Sequence, residues 1–169
     1  MKIIDTHTHL YLDHFKDDIS SVFKKANNIG VYKFIFPSIH SKYNNIMISC
    51  YQKFKDQCFL MAGLHPAYVT SDYDSEISLV YENLKKYNCV AVGEIGIDLY
   101  HDKKFFNEQK IVFEKQINIA LEYNLPIVIH CREAFDEIYK ILLKYKSKNL
   151  RGVFHCFTGN YDQARKICD

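Results

Sequence analysis

The stretch LPIVIHCREAF, residues 125–135, decides the fold. Pro126 to His130 is a short apolar run rich in β-branched residues, the pattern of a buried strand. Asn124 stands just before it, where a helix C-cap belongs, and Phe113, Ile117, Ala120 and Leu121 fall at helical spacing upstream. Beyond the run, Phe135, Ile138, Leu142 and Tyr145 resume that spacing. The segment reads helix, strand, helix, with His130 left at the strand's carboxyl end.

The same unit recurs in both directions. Lys2 to His7, Tyr32 to Pro37, Phe59 to Leu64, Val90 to Glu94 and Gly152 to His155 are further strand candidates. Ile19, Val22, Phe23 and Ala26, and then Ile77, Val80, Tyr81 and Leu84, carry helical spacing between them, and Gly30 supplies another C-cap. Strands alternating with helices imply a parallel sheet joined by right-handed crossovers. A strand-helix unit takes about 30 residues and an eight-unit barrel about 250. The 169 residues therefore hold five full units and the start of a sixth. The expectation is one α/β domain over residues 1–169, a TIM-barrel-like parallel repeat with about six of eight units that stops early. Its first and sixth strands would be open edges, which predicts a marginal fold or self-association through those edges.

With 48% hydrophobic and 25% charged residues and a net charge of +2, the composition is that of a soluble globular chain able to bury a core. The charge neither demands nor excludes a nucleic-acid partner. No run approaches the roughly 18 apolar residues of a membrane span, and the N-terminus lacks a secretory pattern, so the chain reads as cytoplasmic with no membrane partner. Six cysteines without a C-x-x-C pair read as reduced, mostly buried thiols.

Parallel α/β folds gather ligands at the carboxyl ends of strands. His7 and His9 end the first strand, and residues two apart on an extended chain share a face. His65 follows the third strand, Glu94 the fourth, His130 the fifth and His155 the sixth. A single histidine in such a place is more often a loop hydrogen-bonder than a ligand. Their coincidence at positions remote in sequence but adjacent in a parallel sheet points to a metal, and imidazole with carboxylate suits zinc, manganese, nickel or iron.

The segments IIDTHTHL, AGLHP, VGEIGIDLY, LPIVIHCREA and GVFHCFTG, in that order, resemble the TatD-type metal-dependent deoxyribonucleases of the amidohydrolase superfamily. The resemblance implies that His7, His9, Glu94, His130 and His155 hold two divalent ions (magnesium, manganese or zinc), with Glu94 bridging and Glu94, His130 and His155 serving catalysis. It implies a nuclease cleaving DNA phosphodiester bonds by a metal-activated water, from a 3′ end, or a hydrolase of another ester such as an aminoacyl ester on tRNA. The family's remaining ligand is an aspartate at the end of an eighth strand. The chain ends before that motif, and Asp169 does not replace it, so a non-catalytic metal-binding fragment is the competing expectation.

Around the ligands, the resemblance makes His65 a substrate-phosphate contact, with a loop or capping role as its alternative. Arg132 would share the His130 face and pair with a phosphate or with Glu133. Asp5 is a candidate partner for an imidazole, and Asp98 either orients the ligands or closes a turn. Cys131 and Cys156, next to ligands, should face the helices as packing residues. Tyr11, Tyr68 and Tyr100 are the tyrosines placed to stack on bases, and Lys103-Lys104 beside Phe105-Phe106 reads as a solvated helix start.

Overall fold

The computed structural model describes residues 1–168; the reading of Asp169 lies outside the described residues. Among the described residues six strands form one sheet: β1 (Ile3–Asp5), β2 (Val31–Phe36), β3 (Cys58–Ala62), β4 (Cys89–Asp98), β5 (Ile127–Arg132) and β6 (Gly152–Phe154). Their spatial order is their sequence order, and every neighbouring pair is parallel. Crossovers between them carry α1 (Ile19–Asn28), α2 (Asn44–Lys53), α3 (Tyr73–Lys86), α4 (Phe106–Glu122) and α5 (Phe135–Leu143), and α6 (Tyr161–Cys168) follows β6. This is the singly wound (βα) barrel arrangement that the alternation of apolar patterns predicts.

Helix ends follow the chemistry read from the sequence. Gly30 (φ 96°) and Asn124 (φ 51°) take left-handed conformations just past α1 and α4. A side chain at Gly30 would also press on the Met1 carbonyl.

The sheet has two unlike faces. On the helix side lies the main core, where Phe34, Ile95, Ile97 and Ile127 meet Phe23, Val80, Phe113, Ile117 and Ile138. Burying one such side chain is worth about 1.5–3 kcal/mol, so this layer holds the domain together. On the other face a smaller cluster of Met61, Ala91 and Val128, backed by Ile35, floors a cavity of about 630 Å³. That cavity reaches up to His7 and His155 at the rim.

Strand β4 runs four residues past its expected end at Glu94 and contains a bulge. Gly93 pairs with Val128 and Ile95 with Ile129, so Glu94 is an extra residue opposite the β5 ladder. Ala91 and Gly93 lie on the cavity side, where a Cβ on Gly93 would meet Val128 and Met61. Strict alternation would turn Glu94 toward the helices; the bulge gives that place to Ile95 and leaves Glu94 on the rim side.

Candidate metal centre

The ligand candidates sit within or just past the strands: Glu94 in β4 and His130 in β5, the others beyond β1, β3 and β6. His7 and His9 sit just past β1, and the Asp5 carboxylate accepts the His7 backbone N–H at 3.2 Å. Asp5 thus fixes the turn and does not orient an imidazole, as the sequence had suggested. His65 caps the 3-10 turn Pro66–Tyr68 after β3, its Nδ1 accepting the Ala67 N–H at 3.1 Å. His130 is carried by β5, beside Gly96 of β4. Gly96 has φ 144°, and a Cβ there would strike the His130 carbonyl, so only glycine lets the two strands approach.

These side chains converge on Glu94, which is 4% exposed. One carboxylate oxygen, Oε2, lies 3.0 Å from His7 Nε2 and 3.8 Å from His9 Nε2. The other, Oε1, lies 3.0 Å from His130 Nδ1 and 3.8 Å from His65 Nε2. His65 Nε2 and His130 Nδ1 are themselves 3.1 Å apart. Two compact donor groups result, His7–His9–Glu94 and His65–Glu94–His130, and they share one carboxylate. His65, expected as an outer phosphate contact, is therefore a member of the second group.

Behind them stand residues that set proton positions. The Tyr11 hydroxyl donates to the Pro37 carbonyl at 2.7 Å, so its oxygen accepts from His9 Nδ1–H at 2.9 Å. This leaves His9 Nε2 as a bare nitrogen on the Glu94 side. Tyr11 is buried and cannot stack on a base as its position in the sequence suggested. Asp98 performs both roles considered for it. Its Oδ2 sits 2.8 Å from His130 Nε2 and 2.8 Å from His101 Nδ1, while Oδ1 closes the turn by accepting the Tyr100 and His101 N–H groups. Gln109 of α4 accepts the Asp98 N–H at 2.9 Å and ties this network to the core.

The protonation pattern suits a cation. Burial, aided by the charge of His7, lowers His9 to about 4, and burial likewise lowers His65 to about 4, so both are neutral at pH 7. Burial pushes the Glu94 pKa upward, but hydrogen bonds from His130 and His7 outweigh it and hold the carboxyl well below its usual range. Burial also opposes the charged form of His130, yet Glu94 and Asp98 on either side raise its pKa. Among the described residues His7 Nδ1 is buried with no hydrogen-bond partner, which is rare for a polar atom. The neutral imidazoles of His9 and His65 beside an anionic, shared carboxylate suit a divalent ion, and the donor set fits one.

Other candidates stand further out. The His155 ring stacks on His7 with centroids 3.5 Å apart and planes 7° apart, but its nitrogens belong to neither donor group. The exposed Arg132 guanidinium lies 4.1 Å above the Tyr100 ring. Cys131 packs against the core, whereas Cys156 is exposed with φ 45°, because the chain leaves β6 before it and alternation no longer applies. Of the six thiols, only Cys58 and Cys89 are fully buried, fewer than composition suggested.

A family model described as "TatD related DNase" matches residues 4–169. The chain belongs to the TatD-related DNase family. Among its relatives, an "Uncharacterized metal-dependent hydrolase" of Haemophilus influenzae is 33% identical over all of this chain and 67% of its own length. The "3'-5' ssDNA/RNA exonuclease TatD" of Pantoea ananatis is 26% identical over 99% of this chain and 64% of its own. The crystal structure of the TatD homolog YJJV from Escherichia coli superimposes with a TM-score of 0.88 at 28% identity, covering 98% of this chain and 64% of that one. The chain thus spans about two thirds of the length of these TatD-family relatives.

Proposed function

We propose that the chain forms the metal-binding part of a divalent-metal-dependent hydrolase that cleaves phosphodiester bonds of single-stranded DNA, working from a 3′ end. The observation that carries this reading is Glu94, buried and shared between two histidine groups. A bridging carboxylate between two donor sets is the arrangement of a paired-ion phosphodiesterase. The substrate and the direction of digestion are supported by the name of the Pantoea ananatis relative.

In this reading His7, His9, Glu94, His65 and His130 hold magnesium, manganese or zinc. When bound, such ions supply Lewis acidity and lower the pKa of a coordinated water. Asp98 holds the His130 ring by its Nε2, so that Nδ1 stays aimed at Glu94. Tyr11 does the same for His9. His155, stacked on His7, walls the first donor group and would be a further ligand to an ion held there. Arg132 offers a guanidinium to a phosphate, its planar fork already oriented by Tyr100. The protein would act in the cytoplasm, with the open edges of β1 and β6 as surfaces for self-association.

The test is digestion of a labelled single-stranded oligonucleotide with each metal in turn, beside Glu94→Gln. Wild type should shorten the strand from its 3′ end, and the variant should lose at least 100-fold, the scale of losing one essential electrostatic group (about 10²–10³). Equal digestion by both proteins ends the assignment of Glu94. Metal binding without digestion by wild type would leave a metal-binding domain and remove the nuclease.

A further inference from the structure

Next to the metal centre, two short turns bring an unusual group of side chains together. The 3-10 turn Ser41–Tyr43 follows β2 and the turn Pro66–Tyr68 follows β3. Tyr43 and Tyr68 meet with hydroxyls 3.2 Å apart and rings 5.9 Å apart at 75°. The Lys42 ammonium stands over both rings, 4.8 Å from the Tyr43 centroid and 4.6 Å from that of Tyr68. Tyr68 in turn is one ring away from the metal centre, its centroid 6.2 Å from that of His65.

The platform is held rigid from below. Glu76 of α3 accepts the Ser41 N–H at 3.0 Å and the Ser41 hydroxyl at 2.5 Å. His40 Nδ1 accepts the Lys42 N–H at 3.0 Å, and the His40 ring packs edge-on against Tyr68 at 5.2 Å. None of these contacts is needed to build the donor groups around Glu94, and the main core does not explain an exposed lysine poised over two half-buried phenol rings.

We propose that Tyr68, braced by Tyr43 and flanked by Lys42, is a stacking subsite for a base of single-stranded nucleic acid, one nucleotide removed from the phosphate held at the metal centre. The inference rests on the phosphodiesterase reading above. A single exposed ammonium over a ring is held more weakly than a stacked base, so an arriving base displaces the Lys42 ammonium from the Tyr68 face. The ammonium then moves to the phosphate of the same strand, where its charge releases a counterion. The subsite is indifferent to base identity, because every base offers a π-face.

The experiment is fluorescence anisotropy of a labelled oligothymidylate of about 12 nucleotides, within the span a single stacking groove accommodates. Chelator is present so that nothing is cut. Tyr68→Leu should weaken binding about 5- to 150-fold, and Tyr68→Phe should stay within about twofold of wild type. Lys42→Ala should lower the dependence of log Kd on log salt by about one unit. An abasic oligonucleotide should lose as much affinity for wild type as Tyr68→Leu loses for the intact strand, and the variant should lose nothing more on it. Wild-type affinity in Tyr68→Leu, or equal binding of abasic and intact strands, overturns the subsite while hydrolysis can still stand. Intact binding with no hydrolysis under any metal removes the nuclease and leaves the subsite in place. A wild type that binds no oligonucleotide ends both.

Discussion

Tyr11 shows how much of a metal centre lies in residues that touch no metal. Its hydroxyl commits one proton to Pro37 and thereby fixes which nitrogen of His9 is bare. Removing such a partner typically lowers metal affinity by about 10- to 100-fold. Tyr11→Phe should do so in a calorimetric zinc titration while the circular dichroism stays that of the wild type. Acid should act through the same shell. His9 and His65 have folded pKa values near 4, below the unfolded value of 6.5, so the unfolded chain binds more protons between those limits. Their contribution to stability is full above pH 6.5 and is lost as pH falls toward 4. Glu94, lowered from its usual range, adds to the loss below about pH 4.5, while His130, raised above 6.5, contributes fully throughout that acid range and loses its contribution only as pH rises above 6.5 through its folded pKa. The metal-free protein should therefore melt at progressively lower temperature from pH 6.5 to 4, and His65→Gln should flatten that slope. At this scale the sequence showed the donor types, because imidazoles and carboxylates at strand ends are visible as letters. It offered Asp98 as an orienting group without deciding between that and a turn, and it did not show Tyr11 as one, because these roles depend on a ring at His130 and a carbonyl at Pro37 brought near only by the sheet.

Among the elements, β4 does the most to position the site. Its bulge turns Glu94 away from the helix side and keeps Ile95 and Ile97 in the main core. Gly96 then lets β5 come close enough to carry His130 beside it. Gly96→Ala combines a positive φ with a collision against the His130 carbonyl. It should cost at least about 1–3 kcal/mol in urea unfolding, the scale of a strained backbone position. Phe113→Ala, in the fully buried face of α4 behind the same strand, should cost about 3–5 kcal/mol. The larger loss in Phe113→Ala would leave the geometry at Glu94 intact, whereas Gly96→Ala should also weaken metal binding. The alternation of strands and helices was legible because buried strands and amphipathic helices have different periods. The helix α2 was not: Ile46, Met47, Ile48, Cys50 and Tyr51 spread over more than half of its circumference, and only Met47 is buried, so no narrow stripe marks it. The bulge was equally invisible, since a one-residue insertion leaves the composition of the strand unchanged.

For the molecule as a whole, the consequence is a sheet clothed by helices on one face and open on the other. Its outermost strands, β1 and β6, are three residues each, and their carboxyl ends meet at the rim through the His7–His155 stack. The inner apolar residues Met61, Ala91 and Val128 are already buried by their neighbours. What remains uncovered is at the edges, where Ile4 is 47% and Val153 57% exposed beside unpaired backbone groups. Short strands limit how many such groups a second molecule can pair, so any association should be weak and governed by the more exposed edge. Sedimentation velocity should show a mass that rises with protein concentration. Val153→Lys places a charge on that edge, where natural sheets use lysine to discourage pairing. The variant should sediment as a monomer throughout and change folding stability by no more than about 0.5 kcal/mol, as expected of an exposed site. A wild type that is monomeric at every concentration would mean that three-residue edges are too short to recruit a partner, and β6 would then be protected by its own brevity.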